Sequence, residues 1–162
     1  MTLPGTPASS VTNFIPTGNR HYWFVSTIAA QATPTYDEID AGTLLDGVIA
    51  SVSGWTKKAD MVDVPNAADK FVASIPGTIK ADDSAITVYM DSGGSDLRST
   101  FSQGTSGYVL FADGDAPAKL DVYPVTVTSA SKSSALTDAA TLEVSFAITA
   151  EPSIDVTFPS AT

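Results

Sequence analysis

Residues 141–149 read TLEVSFAIT, and this stretch carries the clearest structural pattern in the chain. Leu142, Val144, Phe146 and Ile148 fall on alternate positions, and Glu143 and small or polar residues fill the positions between them. Successive side chains of a strand point to opposite faces. The alternation therefore predicts a β-strand with one face in a core and one face outside it.

Other strand-like runs surround this segment. Residues 21–28 are aromatic and β-branched on both faces, which predicts a strand covered on both sides. Pro124 within 118–128 predicts an edge position or a bulge, because proline cannot donate to a ladder. The remaining predicted strands are 48–53, 71–75 stopped by Pro76-Gly77, 85–91, 108–111 joined to 118–128 by a turn at 113–115, and 154–158.

One helix is predicted, over residues 95–104. Ser95 is a good N-cap, Asp96 suits the positive helix end, and Leu97 and Phe101 are spaced i,i+4, with Gly104 as the stop. Because helices do not alternate with strands, a parallel βαβ sheet is disfavoured. The predicted fold is all-β: an antiparallel β-sandwich or partly closed barrel of about seven to eight strands with one short flanking α-helix.

The chain is predicted to hold one domain. Residues 1–19 are rich in Pro, Gly, Ser and Thr, and are either a disordered tail or an N-terminal arm that orders on a neighbouring subunit. Residues 20–162 form the single β domain. Within it, the polar stretch 56–70 is predicted to be a loop that also orders between subunits.

The composition excludes several functions. The net charge is -10, which disfavours binding to nucleic acid phosphates and to anionic membranes. The chain has no cysteine, so disulfides and thiolate metal sites are excluded. No apolar run approaches the roughly 20 residues of a membrane span, and the N-terminus lacks a secretory signal pattern. We therefore expect a soluble protein made in a cytoplasm.

No residues are predicted to be catalytic, cofactor-binding or metal-binding. His21 is the only histidine, and no nucleophile-elbow motif accompanies it, so a packing role is the simpler interpretation. Gly93-Gly94-Ser95 lacks the lysine of a phosphate loop. Three carboxylate groups lack the spacing of a calcium loop and read as turn residues: 37–40, 82–83 and 113–115. An enzyme is the least favoured class.

The order of segments along the chain resembles that of a known family. The segment 47–54 runs from glycine to glycine, Ile75-Pro76-Gly77 follows a polar loop, and the closing strand ends in Ala150-Glu151-Pro152. Over residues 20–158 this order resembles the major tail tube proteins of long, non-contractile-tailed bacteriophages. The resemblance implies a structural virion protein that forms stacked hexameric rings, whose inner strands join into a continuous barrel.

The resemblance also implies partners. These are further copies of the chain, the tape measure protein, the tail terminator and the tail tip proteins, and genomic DNA passes through the lumen without specific binding. The expected location is the phage tail, after synthesis in the host cytoplasm. Two alternatives stay open: a β-sandwich glycan-binding or adhesin module of a tail tip, and a capsid decoration protein.

A DNA conduit predicts the charge of its wall. A cationic wall would retain DNA by counterion release, so we expect lumen-facing side chains with negative charge or none. Glu143, on the polar face of the closing strand, and Asp46 and Asp121, which flank predicted strands, are the candidates.

Overall fold

The computed structural model describes residues 15–68, 70–93, 97–114 and 117–161. It is mostly antiparallel β structure with one short helix. In chain order the elements are β1 (Arg20–Val25), α1 (Tyr36–Asp40), β2 (Thr43–Leu44), β3 (Ile49–Ser53), β4 (Lys57–Val64), β5 (Ala73–Ala81), β6 (Ser84–Tyr89), β7 (Ser106–Asp113), β8 (Lys119–Ser133), β9 (Thr141–Ile148) and β10 (Ser153–Thr157).

Eight strands form one sheet in the order β2-β1-β7-β8-β9-β6-β3, with β10 added to β8. The 15-residue strand β8 divides this sheet into two layers. Its first half pairs with β7 and β10, and its second half pairs with β9. The first layer is therefore β2-β1-β7-β8-β10, and the second layer is β8-β9-β6-β3. The sheet ends at β2 and β3 and does not close into a barrel.

The main core lies between the two layers. Phe24 and Val109 of the first layer share one buried cluster with Ile86, Val144 and Phe146 of the second. Each of these side chains is at most 4% exposed. The pattern predicted for 141–149 is confirmed up to Ile148, where β9 ends, because Leu142, Val144 and Phe146 are buried there.

The opposite face of the first layer holds a second core. Val25, Leu110 and Val122 are buried there against Ile39 of α1 and against Val156. Strand β1 thus buries alternate side chains against different neighbours, Phe24 in one core and Val25 in the other. This confirms the prediction of a strand covered on both sides, although the strand begins at Arg20 and ends at Val25.

The predicted helix at 95–104 is wrong in its described part. Residues 97–101 form a turn closed by the Phe101 N–H donating to the Leu97 carbonyl, and Ser95 lies outside the described residues. The next residues cannot continue a helix, because the Gly104 N–H donates to the Val127 carbonyl of β8. Tertiary pairing therefore overrides the i,i+4 signal.

Within the described residues the helix lies instead at Tyr36–Asp40, around the acidic group 37–40 that was interpreted as turn residues. Its N-cap is Thr35, which forms a capping box with Glu38. The Glu38 carboxylate also accepts from the Ala29 N–H at 2.7 Å, so it joins the helix to the preceding loop. Backbone hydrogen bonds from Thr35, and next from Ala29, lower the pKa of Glu38.

The predicted loop 56–70 is also wrong, because most of it is strand β4. Strands β4 and β5 pair with each other as a separate two-stranded hairpin. The predicted stop at Pro76-Gly77 is wrong for the same reason, since β5 passes through it to Ala81. A register shift in the ladder between Ala59 and Met61 accommodates this passage opposite Pro76.

Pro124 lies in the buried middle of β8, where the strand changes neighbours. On one side, β10 pairs as far as Val122 and β9 pairs from Val125. The missing N–H therefore falls in the gap between two partner strands. The predicted hairpin of 108–111 with 118–128 is confirmed, and the final strand is present as β10. The predicted arm, residues 1–19, lies outside the described residues up to position 14.

The capping box gives a test of the relocated helix. Thr35→Ala removes the side chain that accepts from the Glu38 N–H, and we expect it to lower the free energy of unfolding by about 1 kcal/mol. Urea denaturation measures this change. Thr33→Ala, an exposed position just before the helix, serves as the control and is expected to change stability by less than about 0.5 kcal/mol. Equal effects of both substitutions would contradict the assignment.

Candidate functional site

The histidine has a structural partner. His21 Nδ1 lies 2.5 Å from Asp46 Oδ2, and the other Asp46 oxygen accepts from the Tyr22 N–H at 2.7 Å. Asp46 therefore ties β1 to the segment between β2 and β3. Within the described ranges, no group of three or more His, Asp or Glu side chains could hold a metal ion.

In each of the three carboxylate groups singled out in the sequence, one member takes part in an ion pair or a helix cap: Glu38, Asp82 and Asp113. Asp113 pairs with Arg20 through both carboxylate oxygens, at 2.5 and 3.0 Å. Asp82 binds Lys58, and that hydrogen bond, with a second one from Thr56, lowers the pKa of the aspartate. These are structural arrangements, and none offers a nucleophile beside a base.

A cavity of about 630 Å³ opens at one end of the sandwich. The Arg20–Asp113 ion pair is part of its lining. Four aromatic side chains also line it: Tyr22, Trp55, Phe111 and Tyr123. Burial raises the pKa of both tyrosines. The Tyr123 hydroxyl donates to the Trp55 carbonyl at 3.0 Å. The cavity is therefore lined by a packed aromatic cluster, and its lining includes no nucleophile paired with a base.

The outward face of the second layer consists almost entirely of small and hydroxyl side chains. We call it the hydroxyl face, and the strand registers place thirteen residues on it: Ser51, Ser53, Ala85, Thr87, Tyr89, Thr126, Ser129, Ser131, Ser133, Thr141, Glu143, Ser145 and Ala147. Glu143 is its one charged residue. It is exposed, and it lies between Thr87 and Ser131 on the neighbouring strands.

Both sides of the second layer end in open strand edges. Strand β3 pairs only with β6 within the described part of the chain. On the other side, β7 pairs no further than Thr126, so the described strand ladders pair Ser129 and Ser131 of β8 with β9 only. Open edges offer unpaired N–H and C=O groups to another strand.

The β4–β5 hairpin projects from this layer and exposes a large apolar surface. Val62 and Ile75 face each other across the ladder and are 50% and 53% exposed. Five further exposed apolar residues of the hairpin are Met61, Val64, Phe71, Val72 and Ile79. Lys58 and Lys80 occupy the base, in pairs with Asp82 and Asp60. An isolated two-stranded hairpin is marginal in water, so burial of this surface would stabilise it.

Only one of the three predicted lumen candidates lies on the hydroxyl face. Glu143 does, whereas Asp46 binds His21 and Asp121 accepts from the Asp155 N–H of β10. The sequence interpretation missed the hairpin because its lysines and aspartates obscured the alternation in 57–64. The Val62/Val64 and Ala73/Ile75 spacing was the available signal.

None of the helices in the described residues is long and apolar enough to cross a bilayer.

Several solved structures share this fold. The PVC sheath/tube terminator of an extracellular contractile injection system is 13% identical, with a TM-score of 0.63 over 88% of this chain and 97% of that one. The SPP1 tail tube is 14% identical, with a TM-score of 0.58 over 88% and 78%. The tail of an empty gene transfer agent particle, determined with C6 symmetry, is 13% identical, with a TM-score of 0.52 over 84% and 93%.

A search of curated protein sequences gives no match. A family model described as phage tail tube protein matches residues 8–161, which is nearly the whole chain. The match agrees with the fold, with its open edges and with the resemblance carried by residues 20–158. The chain therefore belongs to the phage tail tube protein family, and it is a structural subunit of the virion rather than an enzyme.

Proposed function

We propose that this tail tube subunit polymerises through the second layer into closed hexameric rings. The observation that carries the proposal is that the described ladders leave the same four-stranded layer open at both edges, at β3 on one side and at Ser129 and Ser131 on the other. Joining unlike edges of successive copies is a heterologous contact, and it makes a ring where the rotation closes. The sixfold symmetry of the gene transfer agent tail, which has the same fold, supports six copies.

The absence of cysteine allows a clean test of this edge contact. Ser51 of β3 and Ser131 of β8 both lie on the hydroxyl face, at opposite edges. Within one subunit two strands separate these edges, which by strand spacing is about 14 Å. A disulfide between them must therefore join two subunits, because its Cα atoms lie within about 7 Å.

We expect the double variant Ser51→Cys/Ser131→Cys to give a ladder of covalent oligomers up to hexamer when assembled tubes are oxidised. Non-reducing electrophoresis measures it, and each single variant is the control. The contact between subunits sets which residues of the two edges lie opposite each other. Double variants with Ser53 in place of Ser51, or with Ser129 or Ser133 in place of Ser131, therefore test the other registers. Tubes that show no ladder with any pair would rule out this edge contact.

We further propose that rings stack through the hairpin. It leaves the second layer at the Ser53 and Ser84 end, whereas the β8–β9 turn lies at the Tyr89 and Thr141 end. At that turn Leu136 is fully exposed. The two ends of the layer thus carry different apolar surfaces, which suits head-to-tail contact between copies.

Charge supports another copy as the partner of the hairpin. Residues 57–81 contain Lys57, Lys58, Lys70 and Lys80 against three aspartates, so this segment carries +1 in a chain of net charge -10. The rest of a neighbouring copy is therefore strongly acidic, and it attracts the hairpin. The two ends of a finished stack would then present different surfaces to the tape measure, tail tip and terminator proteins.

Acidic substitutions in the hairpin test this stacking. We expect Val62→Asp/Ile75→Asp to leave a folded subunit and to abolish tubes, because two carboxylates would be desolvated in an apolar contact. Circular dichroism and negative-stain microscopy measure the two effects. Ile154→Asp is the matched control, since Ile154 is 43% exposed on β10 and outside the hairpin. Tubes of normal length from the double variant would contradict the proposal.

We propose that the hydroxyl face lines the channel through which DNA passes. Its hydroxyl and methyl groups offer no fixed positive charge to phosphates, and Glu143 places one carboxylate per subunit on the wall. At a Debye length of about 8 Å this charge acts mainly near the wall. The subunit would be made in the host cytoplasm and would assemble there before DNA enters.

Reversal of that charge tests the wall. We expect Glu143→Lys to leave tube formation largely intact and to slow DNA ejection, because cations on the wall release counterions from the phosphates and retain the DNA. Ejection kinetics of assembled particles measure this effect. Glu143→Gln, which removes the charge without reversing it, is expected to eject at close to the normal rate. Unchanged kinetics with lysine would mean that residue 143 does not face the DNA.

A further inference from the structure

The hairpin leaves the second layer through two residues with left-handed backbone. Gly54 has φ +83° and Trp55 has φ +64°. A Cβ on Gly54 would lie 2.5 Å from the Asp83 carbonyl oxygen, so this position admits only glycine without a shift. A bulky residue with positive φ is uncommon, and the surroundings of Trp55 must hold it in place.

Trp55 is held by three hydrogen bonds. Its backbone N–H donates to the Ser84 hydroxyl at 3.0 Å, and its indole N–H donates to the Ala85 carbonyl at 3.4 Å. Its carbonyl accepts from the Tyr123 hydroxyl at 3.0 Å. Ser84 begins β6 and is 1% exposed, so both legs of the hairpin meet at this residue.

The Trp55 ring is packed on several sides. It is 9% exposed, and its centroid lies 4.9 Å from Phe111 of the first layer and 5.6 Å from Phe146 of the second. Tyr123 makes an edge contact at 5.3 Å. The side chain at the hairpin base is therefore inserted between the two layers of the sandwich.

Ion pairs at the hairpin base add to this connection. Lys57 pairs with Glu151 of the β9–β10 turn at 2.9 Å, and Lys58 pairs with Asp82 on the opposite leg. The Asp82 N–H donates to the Thr56 carbonyl. Because these ion pairs are exposed to solvent, they help to orient the hairpin base but contribute little to its stability. The buried contacts of Trp55 provide the fixed point.

We infer that Trp55 is a positioning residue, which sets the angle of the β4–β5 hairpin before the subunits meet. This inference rests on the proposed contact between the hairpin and a neighbouring copy. Fixing the hairpin in the free subunit lowers the conformational entropy lost on assembly, so stacking begins at a lower protein concentration. The exposed apolar strands then have one orientation in every copy, as a regular stack requires.

Two conservative substitutions separate this role from general stability. Trp55→Phe keeps an aromatic ring but loses the indole N–H, and Tyr123→Phe loses only the hydroxyl that binds the Trp55 carbonyl. Val144→Ala is the control: it creates a core cavity on β9, on a residue that makes none of the Trp55 hydrogen bonds. Thermal unfolding identifies the solution conditions under which the three variants are equally stable.

Under those matched conditions, hydrogen exchange is measured on subunits kept dilute enough to remain unassembled. We expect faster exchange in β4 and β5 for Trp55→Phe and Tyr123→Phe, with β9 unchanged. The control is expected to leave the hairpin as protected as in the wild type. The critical concentration for tube formation is expected to rise about threefold to tenfold for the two hairpin-base variants, as the loss of a buried hydrogen bond implies.

Unchanged exchange in β4 and β5 would overturn the inference. Faster exchange with an unaltered critical concentration would also overturn it, because the orientation would then not matter for assembly. The exchange measurement does not depend on tubes. If Val62→Asp/Ile75→Asp assembled normally, the stacking proposal would fail while the exchange data still reported whether Trp55 holds the hairpin.

Discussion

Strand β8 belongs to both layers of the sandwich, and the rest of the structure depends on this double membership. Pro124 lies between the last residue of β8 that pairs with β10 and the first that pairs with β9. Its missing N–H therefore leaves no partner strand without a hydrogen-bond donor. The strand then continues past the last pair with β7 and forms one edge of the second layer. The same segment therefore joins the core and leaves an edge open for assembly.

The first layer mainly stabilises the folded subunit, and the second layer carries the surfaces available for assembly. The first layer is buried on both faces, by the second layer on one side and by Ile39 of α1 with Ile28 on the other, so its contacts stabilise the monomer. The second layer has one buried face, and its hydroxyl face, its edges and its hairpin are exposed. Burial of apolar side chains gives a stable subunit, while unpaired backbone groups and the exposed hairpin favour association.

Several features followed from local sequence. The strict alternation in 141–149 predicted a strand and placed Glu143 on its outer face, because a strand repeats every two residues. The order of segments indicated the family without any single decisive motif. The helix was misplaced, since Leu97 and Phe101 carry an i,i+4 signal whereas Thr35 and Glu38 carry only a short capping box. Pairing of Gly104 with Val127 decided the first case, and that contact links distant parts of the chain.

The sequence by itself determined the all-β class, the buried face of β9, the acidic character and the lack of a thiol. Each of these depends on residue identity or on the alternation of apolar and polar residues over a few positions. Only the tertiary structure decided that 57–81 forms a projecting hairpin, that its base is held by Trp55, and that Asp46 and Asp121 lie away from the hydroxyl face. These features depend on which strands pair across long separations, and backbone pairing leaves little trace in the side chains of either strand alone.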